Sequence, residues 1–209
     1  MRQWLSLLAY TGAMPRDGGP ARLRLRQADL ELYDERGFDQ VTTAEIAARA
    51  GVTERTFYRH FADKREVIFD GENDLRDILV AGVADAPPTL APLPTLLWAY
   101  RTAAPLVQAN RGQTEPLQRV IAATPALRER AHTKSAILTE ALAAALRDRG
   151  TPEPMASLAA RIGMAAFSHV GATWLHHPDK SLDEQLRDAF ENIHALAEPL
   201  ATALATPLQ

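Results

Sequence analysis

Hydroxyl-bearing and cationic side chains are concentrated in one short segment of the chain, residues 53–64. The residues with this chemistry are Thr53, Arg55, Thr56, Tyr58, Arg59, His60 and Lys64. In protein–DNA contacts, guanidinium groups donate to the edge of guanine, whereas hydroxyl and ammonium groups donate to phosphate oxygens. The segment therefore has the chemistry to bind a nucleic acid, if a folded element presents these side chains to solvent.

The spacing of two aromatic residues predicts that this segment forms a short helix. Phe57 and Phe61 are four residues apart, so both lie on one face of a helix and can pack against a core. Arg55 and Arg59 then lie elsewhere on the helix surface. A helix has the width to enter the major groove of B-form DNA.

Start and stop signals predict another short helix immediately before this one. Thr42 and Glu45 have the spacing of a capping box, Gly51 ends the helix, and Thr53 begins the next one. Two short helices joined by a glycine-containing turn are typical of a helix-turn-helix unit. The same layout also occurs in structural bundles with solvated arginines, so spacing alone leaves both interpretations open.

A longer helix is expected on each side of this pair. The first runs from about residue 21 to Gly37. Its apolar stripe consists of Leu25, Ala28, Leu32 and Tyr33. The second begins at the capping pair Asp63 and Glu66 and continues to about Asp85.

Further cations near the helix starts are also expected to reach DNA. Arg22, Arg24 and Arg26 lie at the beginning of the first helix, within reach of a DNA backbone. Lys64 and Arg65 lie at a helix start, where free amides and positive charge together favour an anion.

Residues 22–69 resemble the DNA-binding domain of the TetR family. The matching runs are Leu30–Phe38, Val41–Ala47, Ala50–Thr53 and Thr56–Phe61, followed by Lys64. Many positions agree in order and spacing, which makes the resemblance specific. The sequence departs from the family at Asp29, where a small apolar residue is usual, and we expect Asp29 to lie near the helix edge.

The resemblance implies a three-helix DNA-binding module, followed by a larger helical region that dimerises and binds an effector. Most family members are repressors. The positions that match DNA-contacting residues of the family are Thr43, Thr53, Arg55, Thr56, Tyr58, Arg59, His60 and Lys64. We expect Arg55 and Arg59 to contact bases, and Tyr58, His60, Thr43 and Lys64 to contact phosphates.

The composition is that of an ordinary globular chain. Its 209 residues are 46% hydrophobic and 23% charged, with a net charge of −3, so a wholly disordered or polybasic chain is excluded. The absence of cysteine excludes disulfides, zinc–thiolate sites and cysteine nucleophiles. Because no strand-like alternation of useful length occurs, the predicted fold is all-α.

Proline-rich residues 86–94 separate the first four predicted helices from an Ala/Leu-rich remainder. Later helices are predicted near residues 94–109, 115–123, 125–149, 154–176 and 181–204. Pro105 is expected to kink or end the first of these. Together with the resemblance, this pattern predicts a flexible N-terminal extension (1–20), a DNA-binding domain (21–69) and an effector-binding and dimerisation domain (70–209).

The first thirteen residues, Met1–Ala13, faintly imitate a signal peptide, but their positive region is a single arginine and their apolar stretch is short. We interpret them as an upstream extension, with Met14 as an alternative start. No run of residues approaches the roughly 18 apolar residues of a membrane span. No membrane partner is therefore expected, and the absence of cysteine predicts a cytoplasmic location.

Broad apolar faces on the last two predicted helices, about residues 154–204, predict a homodimer. They include Leu158, Ile162, Ala165, Leu196 and Leu200. TetR-type dimers pair their final two helices into a four-helix bundle, and this segment is similar to them in position and character. The alternative is that these faces only complete the core of a monomer.

The sequence indicates an effector site less clearly than it indicates the DNA-binding segment. Trp98, Arg101, Phe167 and Trp174 are the candidate ligand-binding residues, and ordinary core packing is the alternative for the aromatic ones. Further aromatic and polar candidates are Tyr100, Arg111, His132 and His169. The stretch Val120–Arg130 resembles a TetR subgroup associated with acyl-CoA-like ligands, which implies a bulky apolar or acyl-thioester effector.

No catalytic or cofactor motif occurs, and the histidines lack the spacing of a metal site, so we expect neither an enzyme nor a metal or cofactor. The predicted function is a ligand-responsive homodimeric repressor that binds double-stranded operator DNA. An all-α ligand-binding dimer without DNA binding and a transcriptional activator of the same fold are the alternatives. The helix from Asp63 to Asp85 is expected to couple the effector site to DNA binding.

Overall fold

The computed structural model describes residues 19–177 and 179–205. Its α-helices are α1 (Gly19–Arg36), α2 (Thr43–Arg49), α3 (Glu54–His60), α4 (Lys64–Ile68), α5 (Glu72–Asp85), α6 (Pro92–Ala109), α7 (Arg111–Ala123), α8 (Pro125–Asp148), α9 (Glu153–Trp174) and α10 (Leu182–Ala205). A short 3-10 turn, Phe38–Gln40, follows α1. Within the described residues no strand is present, and the all-α prediction is confirmed.

The N-terminal helix α1 begins slightly before its predicted start. Gly19 and Pro20 belong to it, since proline is tolerated in the first turn, where its missing amide would have no helical partner. The rest of the predicted extension, including Met1–Ala13 and Met14, lies outside the described residues. The helix ends as predicted, with the Gly37 amide donating to the Tyr33 carbonyl at 2.9 Å.

The helix-turn-helix pair forms because local side chains satisfy the free amides at the helix starts. The Thr42 hydroxyl accepts from the Glu45 amide at 3.3 Å, and the Glu45 carboxylate accepts from the Thr42 amide at 2.8 Å, which confirms the predicted capping box. Thr53 begins α3 by accepting from the Thr56 amide at 3.2 Å. Between the helices, Gly51 has φ +67°, a conformation that side chains with a Cβ rarely adopt.

The helix predicted from Asp63 to Asp85 is two helices. α4 ends at Ile68, and α5 begins only at Glu72. Between them Gly71 has φ 92°, and this left-handed residue turns the chain into a new direction. The capping signal had located the start correctly, because Asp63 accepts from the amides of Arg65 and Glu66.

The later helices enclose an apolar core that α5, α6, α8, α9 and α10 share. Arg149 ties down the α5–α6 connection by donating to the carbonyls of Ala86 and Pro87 at 2.8 Å each. α6 does not end at Pro105 but continues to Ala109. In the core the rings of Tyr100 and Phe167 stack with their centroids 4.7 Å apart.

A separate apolar cluster joins α1–α4 to the later helices. Leu117, Val120 and Ile121 of α7 and Leu127 of α8 belong to the same buried cluster as the residues of the helix-turn-helix pair. The Arg119 guanidinium of α7 also pairs with Asp34 of α1 at 2.9 Å. Helices α7 and α8 are therefore in direct contact with α1–α4, which include the helix-turn-helix pair.

No described helix is long and apolar enough to cross a bilayer.

Candidate nucleic-acid interface

Two buried aromatic rings fix the orientation of α3. Phe57 is fully buried and Phe61 is 4% exposed, as their four-residue spacing predicted. The Arg24 side chain of α1 donates to the Ala50 carbonyl at 2.9 Å and holds the turn between α2 and α3. Packing therefore sets which face of α3 points outward, and that face carries Arg55, Tyr58 and Arg59.

Arg55 and Arg59 are exposed and differ from the other arginines of this region. Eight arginines lie in residues 19–70, and most of them bind a carboxylate or a carbonyl. The paired ones are Arg22, Arg24, Arg26, Arg36, Arg49 and Arg65. Arg55 and Arg59 form no hydrogen bond or ion pair with any residue that the structure describes. They are available to bind an external anion or hydrogen-bond acceptor.

The hydroxyl groups beside these arginines form a short surface network. Tyr58 is 55% exposed, and its Oη lies 3.1 Å from Thr43 Oγ1. Thr43 also donates to Glu54 Oε1 at 2.8 Å. The structure thus brings Thr43 of α2 and Tyr58 of α3 to the same exposed surface. Thr53 and Thr56 lie at the start of α3, where the two hydroxyls are 3.0 Å apart.

Lys64 is directed into the protein. Its Nζ donates to the carbonyls of Phe38 and Val41 at 2.8 Å each and lies 4.1 Å from the centroid of the Phe38 ring. The expected anion site at the start of α4 is also filled, since Asp63 accepts from the free amides there and pairs with Arg65 at 2.6 Å. In this structure Lys64 therefore positions the loop after α1.

His60 lies at the end of α3, away from the exposed arginines. It lines a polar cavity of about 460 Å³ together with Arg22, Asp70 and Lys134. Its Nε2 is buried without a hydrogen-bond partner among the described residues. Desolvation, followed by the charges of Arg59 and Arg22, lowers the pKa of the His60 imidazole, so its neutral form is favoured.

Arg22, Arg24 and Arg26, for which contacts to a DNA backbone were expected, each have a partner inside the protein. Arg24 holds the turn carbonyl, and Arg22 and Arg26 both turn toward the buried carboxylate of Asp70. Arg26 is only 2% exposed. No local pattern connects Asp70 to Arg22, because the two residues lie 48 positions apart along the chain.

Asp29 was expected at the helix edge and is instead buried, with 2% of its surface exposed. Burial raises the pKa of its carboxyl well above the usual range, and hydrogen bonding to Tyr33 and the charge of Lys64 only partly oppose this. The α1 backbone places Asp29 beside Leu25, Ala28 and Leu32 of the apolar stripe, so it faces the core.

The candidate effector residues do not come together. Trp98 is 43% exposed, whereas Phe167 and Trp174 are buried in the core. Arg101 is exposed and pairs with Asp183 at 2.5 Å. Another candidate, Arg111, lies over the Trp174 ring at 4.8 Å and donates to the Trp174 carbonyl.

An apolar groove of about 510 Å³ lies between α6 and α10, and none of the four candidate effector residues lines it. Its walls are Leu93, Pro94, Leu97, Phe190, Ile193 and Ala197, and its polar edge is Arg187, Glu191 and His194. Elsewhere on the last two helices, Met155 and Leu158 are 55% exposed and Leu196 is 76% exposed. These apolar side chains face solvent in the single chain.

Comparison with known proteins agrees with this geometry. Residues 26–70 match the family model described as "Bacterial regulatory proteins, tetR family". Over 180 residues the chain is 28% identical to the HTH-type transcriptional regulator TcmR of Streptomyces glaucescens, covering 80% of this chain and 78% of TcmR.

Two solved structures share the fold. The fatty acid degradation regulator FadR of Bacillus halodurans superposes with a TM-score of 0.60 at 16% identity, covering 84% of this chain and 95% of FadR. FadR of Thermus thermophilus, a TetR family transcriptional repressor solved in complex with lauroyl-CoA, gives a TM-score of 0.51 at 22% identity. That match covers 81% of this chain and 91% of the other.

Proposed function

We propose a function from the premise that this chain belongs to the TetR family of bacterial transcriptional regulators. In this proposal the chain is a homodimeric repressor, and a small apolar or acyl-type effector releases it from its operator. Regulators of this family bind operator DNA, act as dimers and bind small-molecule effectors. They are not enzymes. We further propose residues 21–69 as the DNA-binding domain and residues 70–209 as the effector-binding and dimerisation domain.

The proposal for DNA binding rests on the two exposed guanidinium groups of α3. A buried cation or one that already binds a carboxylate has little to gain from a new acceptor, whereas Arg55 and Arg59 have no partner within the described residues. In the major groove, an arginine can donate two hydrogen bonds to one guanine. We therefore assign base contacts to Arg55 and Arg59.

The hydroxyl groups near them are suited to phosphate. Tyr58 and Thr43 share one exposed surface with the arginines, and we assign both to the DNA backbone. Thr53 and Thr56 lie at the start of α3, where the Thr53 hydroxyl caps the helix and is hydrogen-bonded to the Thr56 hydroxyl, and we assign both to DNA contacts. His60 and Lys64 are the least suited of the proposed contacts, because the cavity and the two carbonyls hold them away from the exposed face.

Selection of duplexes from a random DNA pool, followed by affinity measurements at fixed salt, tests this assignment. Arg59→Ala should weaken binding to the selected duplex by about 1–3 kcal/mol and leave the melting temperature unchanged. The control is Arg76→Ala, which removes a partly exposed arginine of α5 that pairs with Asp77. Equal affinity of the parent chain and Arg59→Ala for the selected duplex would exclude the assigned role.

We propose that the dimer forms through α9 and α10. Met155, Leu158 and Leu196 are large apolar side chains that water contacts in the single chain, and pairing two copies about a two-fold axis would bury them. Leu158→Glu should therefore shift sedimentation of the protein toward the monomer. The control is Ile137→Glu, since Ile137 is 53% exposed but lies on α8. A monomer at micromolar concentration in the parent chain would contradict the dimer.

We propose an apolar or acyl-type effector because the groove between α6 and α10 has aliphatic and aromatic walls with Arg187 and His194 at its edge. The lauroyl-CoA bound to Thermus thermophilus FadR supports the acyl class. Lauroyl-CoA should raise the melting temperature and release the selected duplex, whereas coenzyme A alone should do neither. If lauroyl-CoA and lauric acid both fail to change melting or DNA binding, the acyl class is excluded.

A further inference from the structure

Asp70 is a buried carboxylate at the corner between α4 and α5. Its side chain is 4% exposed, and two arginines of α1 approach it. Arg22 Nε lies 3.0 Å from each carboxylate oxygen, and Arg22 Nη2 also donates to Oδ1. Arg26 Nε lies 3.6 Å from Oδ2, with only 1% of the Arg26 side chain exposed. These contacts join the corner between α4 and α5 to α1.

The stability of the cluster formed by Asp70, Arg22 and Arg26 depends on the relative orientation of its charged groups. A carboxylate and a guanidinium that have lost most of their water are stable only while they remain paired. Fork-like donation from one guanidinium to a carboxylate also restricts their relative orientation. The angle between α1 and the α4–α5 corner is therefore fixed more firmly than apolar packing alone would fix it.

The same cluster reaches the end of α3. The Arg22 guanidinium lies 5.0 Å from the centroid of the Phe61 ring, close enough for a cation–π contact. Phe61 directly follows α3, and its amide donates to the Phe57 carbonyl at 2.9 Å. One side chain, Arg22, therefore contacts both Asp70 and the residue that terminates the helix with the exposed arginines.

The other side of the corner contacts α8. Arg130 of α8 pairs with Glu66 of α4 at 2.8 Å, and Lys134 Nζ lies 5.2 Å from the centroid of the Phe69 ring. Immediately after Asp70, Gly71 begins the turn into α5. The corner thus connects α3 to two helices, α5 and α8, that contribute to the C-terminal core.

We infer that Asp70 is a positioning residue for DNA binding: by holding Arg22 and Arg26, it fixes the orientation of α3 relative to α5 and α8. This inference rests on the proposed function. Asp70 does not contact DNA, and it acts only through Arg22, Phe61 and α1. Loss of its charge lets the helix-turn-helix pair adopt several orientations, so two copies in a dimer no longer match one operator spacing.

The first test measures affinity for the duplex that the parent chain selects from a random pool. Asp70→Asn should lower this affinity by about tenfold or more, while circular dichroism shows unchanged helix content. The matched control is Asp77→Asn, which removes an exposed α5 carboxylate that also pairs with an arginine and should leave affinity unchanged. If the parent chain selects no duplex, the proposed function fails, and the position of α3 is then judged from distances alone.

The second test measures the separation of the two helix-turn-helix pairs in the dimer. The chain contains no cysteine, so Ala48→Cys places a single spin label on the exposed surface of α2. Introducing Asp70→Asn into this labelled chain should broaden the distribution of distances between the two labels, whereas Asp77→Asn should not. A role in stability alone would lower the melting temperature without broadening this distribution.

A milder variant keeps the test decisive if Asp70→Asn does not fold. Arg22→Lys preserves the charge but removes the forked donor group and the planar face over Phe61. It should weaken duplex binding and broaden the distance distribution in the same direction. A folded Arg22→Lys or Asp70→Asn protein with parental affinity and parental distance width would overturn the inference.

Discussion

Two buried tyrosines show how differently the two ends of the molecule are held together. Tyr33, in the core around α1–α4, donates its hydroxyl to the Lys64 carbonyl at 3.2 Å. Tyr100, in the core of the later helices, has a buried hydroxyl without a partner among the described residues. The indole Nε1 of Trp174 is also buried without a hydrogen-bond partner among the described residues.

The difference extends to the starts of the helices. α2, α3 and α4 each begin with a side-chain cap, from Thr42, Thr53 and Asp63. None of the helices from α5 to α9 has a side-chain cap hydrogen bond, whereas Ser181 accepts from the Glu184 amide at the start of α10. Directional polar contacts therefore specify one arrangement of residues 19–70. Helices α5–α9 depend more on apolar packing, which has no direction, with Arg149 and Arg111 adding contacts to backbone carbonyls.

Truncating Phe57, a large and fully buried side chain of the N-terminal region, would test whether the polar contacts of that region suffice to hold it together. Because Phe57 is fully buried, Phe57→Ala should lower the free energy of unfolding by about 3–5 kcal/mol and abolish duplex binding. Phe57→Leu, which refills most of the space, should cost clearly less. Denaturant titrations followed by circular dichroism give both values, and an equal cost for the two variants would contradict the packing explanation.

The buried carboxyl of Asp29, like Nε2 of His60, is an exception to good polar pairing in this region. Its folded-state pKa is raised, so the native state binds the proton more tightly than the unfolded chain. The free energy of unfolding should therefore fall as pH rises from the ordinary carboxyl pKa toward the folded-state pKa.

Asp29→Asn cannot ionise and should therefore flatten this fall, which in the parent chain begins as pH rises above the ordinary carboxyl pKa. Urea titrations at several pH values measure the slope. Asp39→Asn is the control, since Asp39 is exposed and should leave the slope unchanged. Parallel pH profiles for the parent and Asp29→Asn would show that burial of Asp29 does not control its ionisation.

The contrast in helix caps predicts a smaller difference. Thr42→Ala removes a capping bond and should cost about 1 kcal/mol, whereas Thr42→Ser should retain most of the stability. Thr124 precedes α8 but forms no side-chain cap, so Thr124→Ala should cost less than Thr42→Ala. Thermal melts compare the three variants. A cost for Thr124→Ala equal to that of Thr42→Ala would remove the distinction.

The two tyrosines themselves give the smallest expected effects, of opposite sign. Tyr33→Phe loses a buried hydrogen bond and should destabilise the protein by about 1 kcal/mol. Tyr100→Phe removes a buried hydroxyl that has no partner and should be neutral or stabilising by less than about 1 kcal/mol. Melting temperatures of the two variants provide the measurement. Clear destabilisation by Tyr100→Phe would show that its hydroxyl is satisfied in solution.

Much of the fold could be predicted, because its signals act over three or four residues. The Thr42–Glu45 capping box, the end of α1 at Gly37 and the burial of Phe57 and Phe61 all follow from local spacing. The continuous helix from Asp63 to Asp85 was wrong, because the apolar periodicity on both sides outweighed the local signal of a break, the left-handed Gly71 directly after Asp70.

In the candidate site, too, some features follow from local sequence and others only from tertiary contacts. The sequence alone determined that α3 carries cations and hydroxyls opposite a buried aromatic face. Only the tertiary structure decided which cations are available: Arg55 and Arg59 remain exposed, whereas Arg22 and Arg26 meet Asp70. The reason is physical. A helix face is set by a repeat of 3.6 residues, but the partner of a long charged side chain is set by which distant carboxylate the folded chain brings within about 4 Å.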